Sequence, residues 1–216
     1  MKKILLPLLI MFFLTGCCKI ENENYDYKEI VNKVLANNNH NVNTASIGYK
    51  YYIPIGVNLI YDNDFNKGFK IKDSKFVLYV DIVSYYYKNS LNYVKDREDY
   101  YYFSNVNNGY ILISEASEYD DYFYLEIVYN YAKIESYVKK ECLVDTIVYS
   151  TIILNSITYN DSLITNFIEQ GVSFGSEITY EIDKPDNSES KFSQYLQEYV
   201  QNEEEKSSDI AKKEVQ

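Results

Sequence analysis

The sequence holds no tryptophan, one histidine, three cysteines, three prolines and seven glycines among its 216 residues. Each shortage removes a class of chemistry. With His40 as the sole imidazole, a multi-histidine zinc site is excluded. Its setting, NNNHNVN, also lacks an acid to hold the ring as a Ser-His-Asp arrangement requires. The few glycines form no phosphate-cradling loop, and three cysteines form no readable disulfide framework. Basic clusters are missing as well. The 21 Lys and Arg stand against 32 Asp and Glu, a net charge of −11, which argues against nucleic acid as a partner, because phosphates demand neutralising cations. Finally, no apolar run reaches the roughly 20 residues that a membrane-spanning helix needs.

What is present begins with MKKILLPLLIMFFLTGCCK. Lys2 and Lys3 precede an apolar stretch over residues 4–14 and the small pair Thr15 and Gly16, the layout of a secretory signal peptide. Leu14-Thr15-Gly16-Cys17 resembles the lipobox of bacterial lipoproteins. That resemblance implies a diacylglyceryl group on the Cys17 thiol, cleavage just before it, and a mature chain held on the extracytoplasmic face of the cell membrane by palmitate-type chains. Each buried CH₂ contributes about 0.8 kcal/mol, so one chain holds marginally and two or more hold stably. Removing residues 1–16 takes away two lysines and no acid, and moves the charge from −11 to −13. Such a body is repelled by anionic headgroups, which leaves the lipid to do the holding. Cys18 acquires no role from the pattern, and Cys142 lies in a helical-looking segment, so both read as free thiols.

A hydrophobic fraction of 46% supports a buried core, and about 150 residues per domain suggests one domain with extensions. The expected organisation is a signal peptide over 1–16, a lipidated tether over 17–29, a single α+β domain over 30–182 and an acidic, disordered tail over 183–216. The 26 tyrosines against 10 phenylalanines resemble the profile of proteins from genomes poor in G and C. Tyr85-Tyr86-Tyr87 and Tyr100-Tyr101-Tyr102 therefore have two readings: a ligand-stacking platform, or codon bias acting with strand propensity.

Ile30, Val31, Val34 and Leu35 recur at helical spacing and predict a short amphipathic helix. From Ile47 to Asn130 the chain turns β-branched and aromatic, with breaks such as DNDFNKG and NVNNG. In KFVLYVDIVSYYY, Phe76, Leu78, Val80, Ile82 and Ser84 alternate with Val77, Tyr79, Asp81, Val83 and Tyr85, which predicts one strand with Asp81 marking its wetter face. Leu143, Ile147, Thr151, Leu154 and Ile157, widened by Val144 and Val148, predict a long helix able to cover a sheet. A second helical piece is expected over 161–170, and ITYEI at 178–182 reads as a strand or an arm. The fold class is α+β: a mostly antiparallel sheet with an N-terminal short helix and a long helix after the last main strand. YYIPIGVNLIYDND, FVLYVDIVSYY and the segment ending in Ile153, Leu154, Ser156 and Ile157 resemble the PsbP/Mog1-like α/β/α sandwich. The resemblance implies an adaptor or assembly module and carries over no functional residue.

Two constellations could carry chemistry. Asp62, Asp64 and Asn66 place oxygens at alternating positions, and Asp73 falls where the twelfth residue of an EF-hand loop would stand. Against calcium, Lys67 occupies the sixth position, where the sharp turn needs Gly, and the twelfth residue is not Glu. The competing reading is an Asx-stabilised turn between strands. Glu115, Glu118, Asp120 and Asp121, with Glu126 and Glu135 downstream, could do acid/base work if two of them faced each other across a cleft. ISEASEYDD, however, looks like a hairpin tip. The expected function is a non-catalytic, membrane-anchored lipoprotein that binds another envelope protein, with no cofactor. The alternatives are a small-ligand-binding lipoprotein with tyrosines lining its pocket, and a cell-wall hydrolase.

Overall fold

The computed structural model describes residues 25–37, 41–89, 100–116, 119 and 121–171. The expectations for Cys17, Cys18, His40, Glu118, Asp120, ITYEI and the 183–216 tail lie outside the described residues.

Helix α1 (Tyr27–Leu35) opens on Asp26, whose side chain accepts the Glu29 N–H, and it buries Val31 and Leu35. This cap starts the helix inside the stretch expected to be tether, because an Asp at the N-cap satisfies a backbone donor that would otherwise lack a partner. Strands β1 (Thr44–Ser46), β2 (Tyr49–Tyr51), β3 (Asn58–Asn63), β4 (Asn66–Ile71) and β5 (Ser74–Val80) follow. Then come helix α2 (Ile82–Tyr87) and strands β6 (Tyr102–Val106), β7 (Gly109–Glu115), β8 (Tyr122–Tyr129) and β9 (Ala132–Lys139). A 3₁₀ turn leads into α3 (Leu143–Ser156), short β10 (Thr158–Tyr159) and α4 (Asp161–Glu169). The protein is therefore α+β, with a long helix after the last main strand.

Seven strands form one antiparallel sheet in the order β3-β4-β5-β9-β8-β7-β6, and β1, β2 and β10 form a second, small sheet. The large sheet is two meanders, β3-β4-β5 and β6-β7-β8-β9, joined where β5 pairs with β9 through Val77↔Glu135 to Val80↔Ala132.

The continuous strand expected through Tyr85 stops at Val80. The Asp81 carboxylate accepts the Ser84 N–H at 2.8 Å and the Ser84 hydroxyl at 2.7 Å, and this cap turns the chain into α2. Lys88 closes the helix in the left-handed conformation. Local capping outweighs the alternating pattern, and Ile82 reaches the core from a helix instead of a strand.

One face of the large sheet presents Phe69, Phe76, Leu78, Ile111, Ile113, Leu125, Ile127, Ile134 and Val138 to the core. Helices α1 and α3 pack together over it. On α3, Leu143, Ile147, Thr151 and Leu154 are buried as expected. The stripe widens through Thr146, Ser150 and Ile153, whereas Val144 and Val148 are half-buried. Thr146 and Thr151 donate to the carbonyls of Cys142 and Ile147 at 2.9 and 2.7 Å. These back-bonds satisfy the hydroxyls inside the core. Cys142 is a buried free thiol. Among the described residues no helix is long and apolar enough to cross a membrane.

The opposite face of the sheet alternates onto Tyr79, Tyr110, Leu112, Tyr124, Glu126, Val128, Lys133, Glu135 and Tyr137. A two-sided sandwich would place helices on both faces; here α1 and α3 share one.

Candidate functional site: an asparagine- and tyrosine-walled cleft

The calcium-like run folds as the β3–β4 hairpin, with Asp64 in the left-handed region at φ 43°. Asp62 stands opposite Lys67. The Lys67 side chain is buried, and its ammonium donates to the Asp62 carboxylate and, at 2.8 Å, to the Asp64 carbonyl. The chain's own cation thus occupies the place offered to a metal. Asn66 alternates to the other side of β4, and Asp73 lies in the turn beyond its far end. The calcium candidates Asp62, Asp64, Asn66 and Asp73 are thus spread over the hairpin and the next turn, and no group of three or more His, Cys, Asp or Glu side chains that could hold a metal ion forms among the described residues.

Glu115 ends β7 and Asp121 precedes β8, so ISEASEYDD spans a hairpin tip. The two downstream acids do meet: Glu126 and Glu135 are direct cross-strand partners. Like charges so placed destabilise a sheet, and here their neighbours offset the cost. The Tyr110 hydroxyl donates to Glu126 Oε1. Tyr124 lies 2.8 Å from Glu126 Oε2 and within hydrogen-bond reach of Glu135 Oε1. Lys133 Nζ sits 3.1 Å from Glu135 Oε2. Burial, followed by the charges of Glu135 and Glu126, pushes the Tyr124 phenol far up, so it stays a donor. Each of the four carboxylate oxygens thus has a phenol or the Lys133 ammonium within reach, and the single Tyr124 proton serves Glu126 or Glu135. In the sequence both stood out only as acids downstream of the patch, and it is the two-residue turn at Asn130-Tyr131 that puts them opposite each other.

At the end of the sheet where this turn lies, a cleft of about 450 Å³ opens between three chain reversals. The β6–β7 hairpin contributes Asn105, Asn107, Asn108 and Tyr110, and the end of α2 contributes Lys88 and Asn89. Tyr129, Asn130 and Tyr131 come from the β8–β9 turn. Four of these residues hold positive φ: Lys88 at 54°, Asn107 at 47°, Asn130 at 52° and Tyr131 at 57°. A bulky side chain seldom adopts that region, and Tyr131 is held there from three sides. Its carbonyl accepts the Asp81 N–H at 2.9 Å, Asn130 Nδ2 donates to the Ile157 carbonyl at 2.8 Å, and the Tyr159 hydroxyl donates to the Asn130 carbonyl at 2.6 Å. Gly109 is required for another reason. A Cβ there would lie 1.8 Å from the Val128 carbonyl oxygen, so no side chain fits this close approach of β7 to β8.

Behind the cleft, Tyr85 stacks on Tyr159 at 3.8 Å between ring centroids and meets Tyr131 edge-on at 5.4 Å. The Tyr85 hydroxyl donates to Asp161 at 2.6 Å, and burial, reinforced by that carboxylate, pushes its pKa up to about 12. Lys88 Nζ rests 3.5 Å from the Tyr85 ring centroid. Of the two tyrosine trios, Tyr85 therefore supports the cleft from behind. Tyr102 serves α1, accepting the Lys28 N–H at 3.1 Å, and Tyr100 and Tyr101 are exposed. The tyrosines in the wall are Tyr110, Tyr129 and Tyr131, which stand outside both trios. Comparison with known protein families, curated proteins and solved structures finds no match to this chain.

Proposed function

We propose that this chain is a non-catalytic binding module held at the extracytoplasmic face of a cell membrane by a diacylglyceryl group on Cys17, with an envelope component as its partner. The observation that carries the proposal is Leu14-Thr15-Gly16-Cys17 following a basic start and an apolar run. A net charge of −11 fits a body kept off anionic headgroups. The order of short helix, antiparallel strands and long helix supports a PsbP/Mog1-like adaptor domain. A full sandwich of that kind would also need a helical layer over the tyrosine and glutamate face, which no described element supplies.

The test compares wild-type chain with Cys17→Ala expressed in a bacterium. The wild type is expected to enter the detergent phase and to yield an N-terminal peptide that begins at Cys17 and carries the lipid mass. Cys17→Ala is expected to lose both properties. If cleaved Cys17→Ala stays in the membrane fraction, the anchor is elsewhere. Pull-down from detergent-solubilised membranes then seeks the partner. A second reading, a small-ligand-binding lipoprotein, draws its support from the cleft between the hairpin turns.

A further inference from the structure

We infer that the cleft binds a saccharide ring bearing a carboxylate. The inference rests on the small-ligand reading and adds the class of ligand. At about 450 Å³ the space lies within the usual range for small-molecule sites, and three kinds of wall chemistry narrow its occupant.

The first is amide. Asn89, Asn105, Asn107 and Asn108 bring side chains that each offer one acceptor and two donors, and among the described residues none of these amides has an intramolecular partner. Groups that both donate and accept suit neighbouring hydroxyls on a ring. The second is aromatic: Tyr110, Tyr129 and Tyr131 are among the lining residues, and a sugar's C–H faces are apolar enough to rest on an aromatic surface. The third is a cation. Lys88 Nζ is held over the Tyr85 ring at 3.5 Å, and among the described residues no carboxylate pairs with it. Among the described residues Lys88 is also the one cation in the lining and no carboxylate lines the cleft, although the protein as a whole is strongly acidic. One ammonium matches one carboxylate, whereas a polyphosphate would call for several cations or a nest of backbone N–H groups.

The positive φ values at Lys88, Asn107, Asn130 and Tyr131 supply an independent reason to look here. Non-glycine residues in that region cost energy, and they gather where a surface must keep one shape. Two of them, Asn130 and Tyr131, are adjacent in a two-residue turn where Asn-Gly would relieve the cost.

The experiment is calorimetric titration of the full mature chain in detergent micelles with two matched pairs, glucuronate against glucose and N-acetylmuramate against N-acetylglucosamine. In at least one pair the acid is expected to bind about tenfold more tightly than its neutral partner, the usual gain from a charge-assisted hydrogen bond. Lys88→Gln is expected to erase that preference. Asn108→Ala is expected to weaken acid and neutral sugar alike. Melting temperatures of both variants within about 2 °C of wild type show that the fold is kept. Equal binding of acid and neutral sugar overturns the carboxylate assignment. Binding of AMP, but of no sugar, in a way that Asn108→Ala weakens overturns the saccharide class and keeps the small-ligand reading. No heat with any of these compounds at 10 mM overturns both.

Discussion

The large sheet holds two tyrosine-rich polar regions that share strands β7 and β8 and even share Tyr110, yet they differ in what is left over. In the Glu126–Tyr124–Glu135 ladder, every carboxylate oxygen lies within reach of a phenol or of Lys133. In the cleft, the amides of Asn89, Asn105, Asn107 and Asn108 have no intramolecular partner among the described residues. The ladder looks more like an active site by residue type, because it pairs two carboxylates. The cleft is the better candidate by availability, because a ligand can bond only to groups the chain has not already used. Spare bonding capacity separates a structural polar cluster from a binding surface.

The largest loss of stability is expected from Gly109→Ala. Its Cβ would strike the Val128 backbone, which has no flexible side chain to move aside, and a loss of about 3 kcal/mol or more is expected. Urea denaturation measures it, and a loss below about 1 kcal/mol would show that the hairpin can yield. Next comes Tyr124→Phe, which strips a donor from two opposed glutamates. It should cost about 2 kcal/mol and leave sugar titrations of the cleft within twofold. A comparable loss of binding would mean that the two regions act as one.

Alkaline pH acts on both regions. Folding raises the pKa of Tyr124 and Tyr159 far above the ordinary 10, and that of Tyr85 to about 12, chiefly through burial. Above pH 10 the unfolded chain releases phenolic protons that the folded chain keeps, so stability is full below pH 10 and falls as pH rises through 12 and beyond. Denaturation midpoints between pH 9 and 12 should trace that fall, with a shallower slope for Tyr124→Phe. At the β3–β4 hairpin, millimolar calcium should leave the melting temperature of the wild type and of Asp64→Asn unchanged, since Lys67 already holds Asp62. A rise in either would restore a metal site there. Lys88→Gln should have the smallest effect on stability, within about 0.5 kcal/mol for an exposed side chain.

Much of the fold was legible where one period ran unopposed. Ile30, Val31, Val34 and Leu35 announced α1, and Leu143, Ile147 and Leu154 announced α3. Legibility failed where a short-range bond competed with the period. Asp81 read as the wet face of a strand until its bonds to Ser84 made it a helix cap. The candidate site was harder to read, because its wall is assembled by turns. Asn130-Tyr131 carries only half of an Asn-Gly turn signature, and its geometry depends on Asp81, Ile157 and Tyr159, each far away in sequence or on another element. No local pattern encodes such a convergence. The lipobox-like stretch, by contrast, depends on adjacent residues alone.

The pairing of β5 with β9 has a consequence in time. Strand β9 is the last of the seven in the chain, yet it lies in the middle of the sheet and stitches one meander to the other. Hairpins on either side involve near neighbours and can form early, but closing this seam must bring together segments more than fifty residues apart, and such contacts slow folding. Until β9 arrives, the inner edge of β5 stays unpaired and open to other chains. A chain cut short of Lys139 would therefore lose its centre, and an incomplete product would betray itself by association before it could settle into a smaller fold.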